Sequence, residues 1–429
     1  MPARQTYADW TPPPGFVLAA SKVAGVETYA PAPPEDAQPD AKTFRCPQCN
    51  GIVSYSADAQ ELVCPHCGYT RKVGAPVVGL SAERFEFTLA ALDQSEKGWG
   101  ADRTSIQCEA CNASFSVAGD QLSTTCPFCG SNRVATSAAL HDFIRPGYLI
   151  PFTVDEQRCQ AVVTEWLGRG WMHPPALRQV NAIGHFTGIY MPFWVFDAHI
   201  EAQWKALVGH ERQERRYRDG KWETETVIDW RWENGHVHLP SDNMLIYGTD
   251  KVSTVLLERL YPYNLNQLTV YDAGYLAGWQ AHAYEMQLKP AWDLGKQRMR
   301  EQAKSACYRD IQSPHVRNFS MTANFSEERW RYVLLPTYMA TYGFENKTYH
   351  VMVNGQTGAV AGQKPVAWLR VWLAIALALA PGLLGGLIGL VTSVLGVGVF
   401  VLPVAFVLFV VGLVVAIYIF NRARAADDI

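Results

Sequence analysis

From Val371 to Asn421 the chain runs for 51 residues without an Asp, Glu, Lys or Arg. A single bilayer span takes about 20 apolar residues, so this run is too long for one crossing and fits two of roughly 20 to 25. The expected helices lie near Val366–Val391 and Val397–Phe420, with a short turn at Thr392 and Ser393. A buried core helix, the alternative, fits poorly with this length and apolarity. Lys364 and Arg370 precede the run, and Arg422 and Arg424 follow it. Basic flanks at both ends place both on the cytoplasmic side of the cell (inner) membrane, leaving 421–429 as a cytoplasmic tail. Gly382, Gly385, Gly386 and Gly389 are expected to let the two helices approach closely. No ionisable residue interrupts the spans, so a pore is not expected.

The opening MPARQTYADWTPPPG contains no apolar core of signal-peptide length, so no secretory signal is expected. The 365-residue N-terminal part then faces a reducing compartment, where disulfides are disfavoured. Its first 42 residues, with eight prolines and little hydrophobic pattern, read as a disordered arm.

Two stretches share one cysteine arithmetic. In FRCPQCNGIVSYSADAQELVCPHCG, Cys46, Cys49, Cys64 and Cys67 form two C-x2-C pairs with fourteen residues between them. In IQCEACNASFSVAGDQLSTTCPFCG, Cys108, Cys111, Cys126 and Cys129 repeat the pattern 62 residues on. Zn2+ takes four thiolates tetrahedrally, and two knuckles joined by a short hairpin supply them. The residues after each pair, Asn50, Gly68, Asn112 and Gly130, tolerate the positive φ such knuckles need. The expectation is two β-rich zinc ribbons, 43–72 and 104–134, each holding one structural zinc, with 73–103 as a packed connector. Redox chemistry at Cys64–Cys67, an iron–sulfur cluster and disulfides are the alternatives. Four thiolates close the coordination shell, which argues against a catalytic metal. His66 inside a knuckle is expected to be exposed and not a ligand.

Ribbons of this kind can bind nucleic acid, which requires a basic face. The charge is about +2 over 41–75 and zero over 103–135, and the whole chain carries −3. Nucleic-acid binding is therefore the alternative, and protein contact the first expectation.

Residues 141–365 read as an aromatic-rich α+β domain with antiparallel strands. Thr153 and Glu156 have capping-box spacing, opening a helix whose apolar face is Cys159, Val162, Val163, Trp166 and Leu167 and whose stop is Gly168 and Gly170. Tyr190 to Leu239 reads as strands turning at Asp219-Gly220. A second helix is expected from Pro290 to about Tyr308, then strands with turns at Glu345–Lys347 and Asn354–Gly358. Both helices precede a strand containing Pro and then an aromatic two positions on, at Pro192 and Pro336, which raises an internal duplication. Strand entries often look like this, so the pattern alone does not decide it.

No P-loop, H-E-x-x-H, G-x-S-x-G or kinase motif occurs, and no enzyme is expected. His236 and His238 share one face of a strand. They read first as exposed polar residues and second as metal ligands.

The run LLERLYPYNLNQLTVYDAGYLAGWQAHAYEM, and VNGQTGAVAGQKPVAWLRVW before the apolar hairpin, resemble a bacterial family of membrane-anchored double zinc-ribbon (TFIIB-type) proteins. Its members are often named as primosomal or replication factors. The resemblance covers Phe44 to the end and implies that the eight module cysteines are zinc ligands. It also implies a non-enzymatic scaffold or adaptor that recruits flotillin-like (SPFH) or phage-shock-type partners to the membrane. The YLAG run, Tyr275–Gly278, is shared with that family and carries no implied chemical role.

Overall fold

The computed structural model describes residues 16–19, 28–31, 44–87, 103–111, 113–118, 126–129, 131, 134–136, 144–179, 186–218, 221–249, 252, 254–345, 347–393 and 398–427. The chain divides into two compact units, 1–43 with 100–102, and 44–99 with 103–429. In the first, β1 (Phe16–Ala19) pairs antiparallel with β2 (Thr28–Pro31). This hairpin departs from the disorder expected of residues 1–42, and the rest of that arm lies outside the described residues.

In the second unit the first cysteine module builds its own antiparallel sheet, β3 (Ser54–Ser56), β4 (Glu61–Val63) and β5 (Thr70–Arg71). The connector packs down as far as residue 87. There β6 (Phe85–Glu86) joins the main sheet, Arg84 Nε lies 3.2 Å from the buried Asp197 carboxylate, and Glu83 N donates to Tyr148 Oη at 2.8 Å. The second module forms β7 (Arg103–Cys108), β8 (Ser114–Ala118) and β9 (Val134–Thr136).

The central region continues with β10 (Tyr148–Leu149), α1 (Glu156–Gly168), β11 (Thr187–Arg218), β12 (Lys221–Tyr247), α2 (Thr254–Arg259), β13 (Thr269–Val270) and β14 (Gln280–Ala281). After these come α3 (Leu288–Asp310), β15 (His315–Phe344), β16 (Lys347–Asn354) and β17 (Val360–Gly362). One 12-stranded sheet runs in the order β13-β10-β15-β11-β14-β8-β7-β9, with β12 beside β11, β16 and β6 beside β15, and β17 beside β16. The second module is therefore a continuation of the main sheet. Most pairs are antiparallel as expected, while β10–β15 and β11–β14 are parallel.

Alternation along β11 explains why it can be 32 residues long. Phe196, Ala198, Ile200, Ala202, Trp204 and Val208 are buried on the face that α3 covers, and His199, Glu201, Gln203 and Lys205 line the open face. Trp204 Nε1 donates to Asp310 Oδ2 at 2.8 Å, which fixes the end of α3 to the sheet. The turn at Asp219-Gly220 falls between β11 and β12, outside the described residues.

The helix starts differ from the sequence reading. Asp155, not Thr153, caps α1, its Oδ1 accepting from Arg158 N at 2.6 Å. Thr153 Oγ1 instead donates to Gln356 O at 2.7 Å, because the residues before α1 are recruited to the β16–β17 turn. Cys159, Val163 and Leu167 form the buried face, with Val162 and Trp166 at its margin. α3 begins at Leu288, two residues before Pro290.

The suspected duplication has a geometric counterpart. Met191 of β11 faces Leu335 of β15, so Pro192 and Pro336 sit in mirrored positions about that pair. Gly248 N donates to Pro192 O at 2.8 Å, and Gly355 N to Pro336 O at 2.9 Å. Gly248 O accepts from Glu285 N and Met286 N just before α3, as Gly355 O accepts from Thr153 N and Val154 N just before α1. Trp194 Nε1 donates to Met286 O and Tyr338 Oη to Val154 O. The two helix-and-strand halves thus exchange the same contacts across a local two-fold.

The chain ends in α4 (Trp368–Thr392) and α5 (Gly398–Asp427), both long and apolar enough to cross a membrane. Their large apolar side chains face outward, as with Leu377 at 76 % and Phe400 at 78 % exposure, so they are not core helices of the described unit. α5 runs past residue 420 through Arg422 and Arg424, so most of the expected tail is helix. A side chain on Gly382 would clash with Phe409, and one on Gly412 with the Ala378 carbonyl. Gly386 meets nothing, so the expected glycine contact holds for Gly382, Gly385 and Gly389 only.

Two tetracysteine centres and their shared seat

The knuckles arise from local hydrogen bonds. In the first, Asn50 N donates to Cys46 O at 2.8 Å and Cys46 N to Gly51 O at 2.7 Å. In the second, Gly68 N donates to Cys64 O at 3.0 Å and Cys64 N to Tyr69 O at 2.8 Å. Asn50 and Gly68 adopt φ of 58° and 73°, as expected from their types. Asn112 and Gly130 lie outside the described residues. Cys108 N donates to Ala113 O and Cys126 N to Ser131 O, which repeats the scheme in the second module.

The β3–β4 hairpin folds one knuckle onto the other in the first module, and in the second the pairing of both β8 and β9 with β7 sets the knuckles side by side. Cys46 Sγ lies 3.5 Å from Cys67 Sγ, and Cys49 Sγ 3.5 Å from Cys64 Sγ. The corresponding Cys108–Cys129 and Cys111–Cys126 distances are both 3.6 Å. Within each module all four sulfurs lie within 4.8 Å of one another. Zn–S bonds of about 2.3 Å at tetrahedral angles place sulfurs about 3.8 Å apart, so each sulfur set fits a four-thiolate metal. Such separations are far from a disulfide's length of about 2 Å. His66 is exposed, as expected.

Electrostatics inside each set prepare a cation site. Burial pushes the Cys64 thiol up, but the backbone N–H groups of Cys67 and His66 and the neighbouring thiols outweigh it and bring it down to about 6. Cys108 is likewise raised by burial and lowered, on balance, to about 7 by the N–H groups of Cys111 and Ala110 and the thiols beside it. Each set thus offers a thiolate near neutrality. Cys159 and Cys307 lie in the core, and burial pushes both thiols up, which makes them poor nucleophiles.

Both modules rest on one stretch that the sequence reading left without a role, residues 275–282. Tyr55 N of β3 donates to Ala277 O at 2.9 Å, and Trp279 Nε1 donates to Tyr55 O at 2.9 Å. The Tyr55 and Tyr275 rings meet edge to face at 5.1 Å. Gly278 has φ of 79°, and a Cβ there would lie 2.6 Å from Ser54 Cβ, so only glycine lets the first module sit this close. Trp279 stacks on Phe152 at 4.0 Å, anchoring the seat in the core. Three residues on, Ser116 of β8 pairs with Ala281, and Ser116 Oγ donates to Ala281 O at 3.1 Å. The fully buried His282 contacts Ser114 O through Nδ1, and its ring meets Phe128 at 5.0 Å.

The two family-like runs interlock. Asn264 N donates to Gln356 Oε1 at 2.8 Å, Gln356 Nε2 to Asn264 O at 3.1 Å, and Asn354 Nδ2 to Leu260 O at 2.9 Å. The Pro-Tyr-Asn-Leu and Asn-Gly-Gln segments therefore hold each other in place. His236 and His238 do share a face, with rings 4.2 Å apart and His238 Nδ1 3.7 Å from Glu201. Among the described residues only the two tetracysteine sets bring three or more ligand atoms within metal-binding reach.

No family model matches the chain, and no solved structure matches it. The chain is similar to an uncharacterised Bacillus subtilis (strain 168) protein, YdjG. They are 28 % identical over 236 residues, 53 % of this chain and 66 % of YdjG, just under two thirds of that protein's length.

Proposed function

We propose that the chain is a non-enzymatic scaffold, anchored in the inner membrane by α4 and α5, that presents two zinc ribbons to protein partners at the cytoplasmic face. Cys46, Cys49, Cys64 and Cys67 hold one structural Zn2+, and Cys108, Cys111, Cys126 and Cys129 the other. The observation that carries this reading is the joining of both tetracysteine modules, through residues 275–282, to the unit that ends in the apolar hairpin. A body fixed in this way offers partners a preorganised surface at the bilayer, which lowers the ordering cost of binding. Basic residues at both ends of the hairpin support the cytoplasmic orientation. Partners of the flotillin-like or phage-shock type follow from the family resemblance.

The test is affinity capture of the full chain from detergent-solubilised membranes, beside a Cys64→Ser/Cys67→Ser variant. The reading expects a defined set of proteins that the variant loses, and about two zinc per chain in the purified protein. Identical captures by both forms, one zinc or none, or DNA or RNA retention that falls steeply with salt would overturn it.

A further inference from the structure

The first turn of α4 is tied to the loop that follows α1. Ala367 N donates to Met172 O at 2.7 Å, His173 Nδ1 lies 3.0 Å from Pro365 O, and Arg370 Nη1 donates to His173 O at 3.4 Å. Lys364 reinforces the joint from below. Its Nζ donates to the Trp166 and Arg169 carbonyls at the end of α1 and lies 4.1 Å from the Trp166 ring centroid. The Trp166 carbonyl also accepts from Arg169 N at 3.1 Å, so the cation adds a second bond there and supplies the bond to the Arg169 carbonyl just past the helix. Met172 itself packs in a small apolar cluster with Val371 of α4 and Ala423 of α5. The loop is therefore held at the end of the hairpin where α4 begins and α5 finishes.

What this end exposes has one chemistry. Trp171 is 50 % exposed, beside a methionine that is buried, and Trp372 and Tyr418 on the two helices are 55 % and 62 % exposed. Arg169, Arg370, Arg422 and Arg424 are exposed around them. Glu165, exposed beside them, is paired with Arg169. Trp and Tyr settle at the headgroup level of a bilayer, while Arg buries its stem and keeps its charge among phosphates.

We propose that the Arg169–His173 loop is a third membrane contact, forming with the ends of α4 and α5 a collar that binds the anionic headgroups of a phospholipid bilayer. The inference rests on the membrane-crossing reading above and adds to it a fixed attitude of the folded body on the membrane. Trp171 enters the interface beside Trp372, and Arg169 and Arg370 take phosphate oxygens.

The full chain reconstituted in nanodiscs tests this, using lipids brominated near the headgroup end of the acyl chain, with and without phosphatidylglycerol. Subtracting the emission of Trp171→Phe and of Trp372→Phe from the unaltered protein isolates each reporter. The expected result is quenching of both tryptophans. Phosphatidylglycerol retained in native mass spectra should also be about tenfold less favoured in Arg169→Gln/Arg370→Gln, each cation near the surface contributing to the attraction. The variant's own Trp372 quenching and zinc content, unchanged, show that it is folded and inserted. Quenching of Trp372 without Trp171, or an undiminished phosphatidylglycerol preference, overturns the collar and leaves the anchor standing. Loss of quenching at both, with extraction of the protein by alkaline carbonate, overturns the anchor as well.

Discussion

The two cysteine modules share their spacing and their sulfur geometry, yet the molecule uses them differently. The first keeps a private three-stranded sheet, docks on the central region through main-chain groups of Tyr55 and Ala277 and a Trp279 hydrogen bond, and adds Val53, Tyr55 and Leu62 to one apolar cluster with Phe152 and Trp194. Two of its cysteines, Cys49 and Cys67, are exposed. The second contributes β7, β8 and β9 to the 12-stranded sheet, and its Ile106, Phe115 and Val117 lie in one apolar cluster with Ile189 and Phe193 of β11. Its Cys111 and Cys129 are partly covered. A repeated motif thus fixes a repeated local fold without fixing how far that fold is absorbed by its surroundings. The first module is placed as a docked surface element and the second as part of the frame.

Removing each metal site should break the equivalence most strongly. Cys108→Ser/Cys126→Ser and Cys46→Ser/Cys64→Ser should each lose one zinc. Structural zinc in isolated fingers contributes about 10 kcal/mol or more, so the loss should be several kcal/mol at either site. Thermal unfolding followed by tryptophan emission should fall further for the second-module pair, whose strands extend the main sheet. Equal losses would mean that the first module is as deeply built in as the second.

A smaller effect is expected from Trp279→Ala, about 3 kcal/mol from an aromatic truncated in a packed site. Hydrogen exchange should quicken over 54–63 and stay unchanged over 103–108; quickening at both would merge the two docking sites into one. Smaller again is Gly278→Ala. It should cost about 1–2 kcal/mol, because an L residue is strained at this positive φ and its Cβ meets Ser54. Zinc content should remain at about two while the first module alone loosens.

The smallest effect concerns pH. Each centre has a thiolate whose pKa is lowered, to about 6 at Cys64 and about 7 at Cys108, and it is present above that value and lost as pH falls through it. Metal affinity at both centres should therefore weaken as pH falls through this range, and a chelator titration at stepped pH should release zinc faster below it than above it. Release independent of pH would show that thiolate supply does not govern retention.

Much of this was legible from local chemistry. The C-x2-C spacing, with Asn50 and Gly68 at the turns, is a property of a few consecutive residues, and the sulfurs converge as that spacing requires. The uncharged run specified two long apolar helices for the same reason: length and composition are enough. The cap of α1 was misplaced because Thr153 is drawn away by Gln356, 203 residues along the chain. The strand from His315 to Trp330 went unread although Phe319, Met321, Ala323 and Phe325 alternate with polar residues and pack against the core, the period of a half-buried strand. The seat at 275–282 was visible only as an unexplained Tyr-Leu-Ala-Gly run. Its working atoms at Ala277 and Ala281 are carbonyl oxygens, which any residue could supply.

The sequence by itself therefore determined the two sulfur sets, the knuckle turns and the apolar hairpin, each set by interactions that reach over a turn, a short hairpin or a helix. The tertiary structure alone decided that one module is docked and the other absorbed, that a glycine-bearing segment seats both, and that the loop after α1 meets the hairpin. Those outcomes depend on main-chain groups and close approaches between segments up to some two hundred residues apart, and such pairings leave no periodic or compositional trace in the chain.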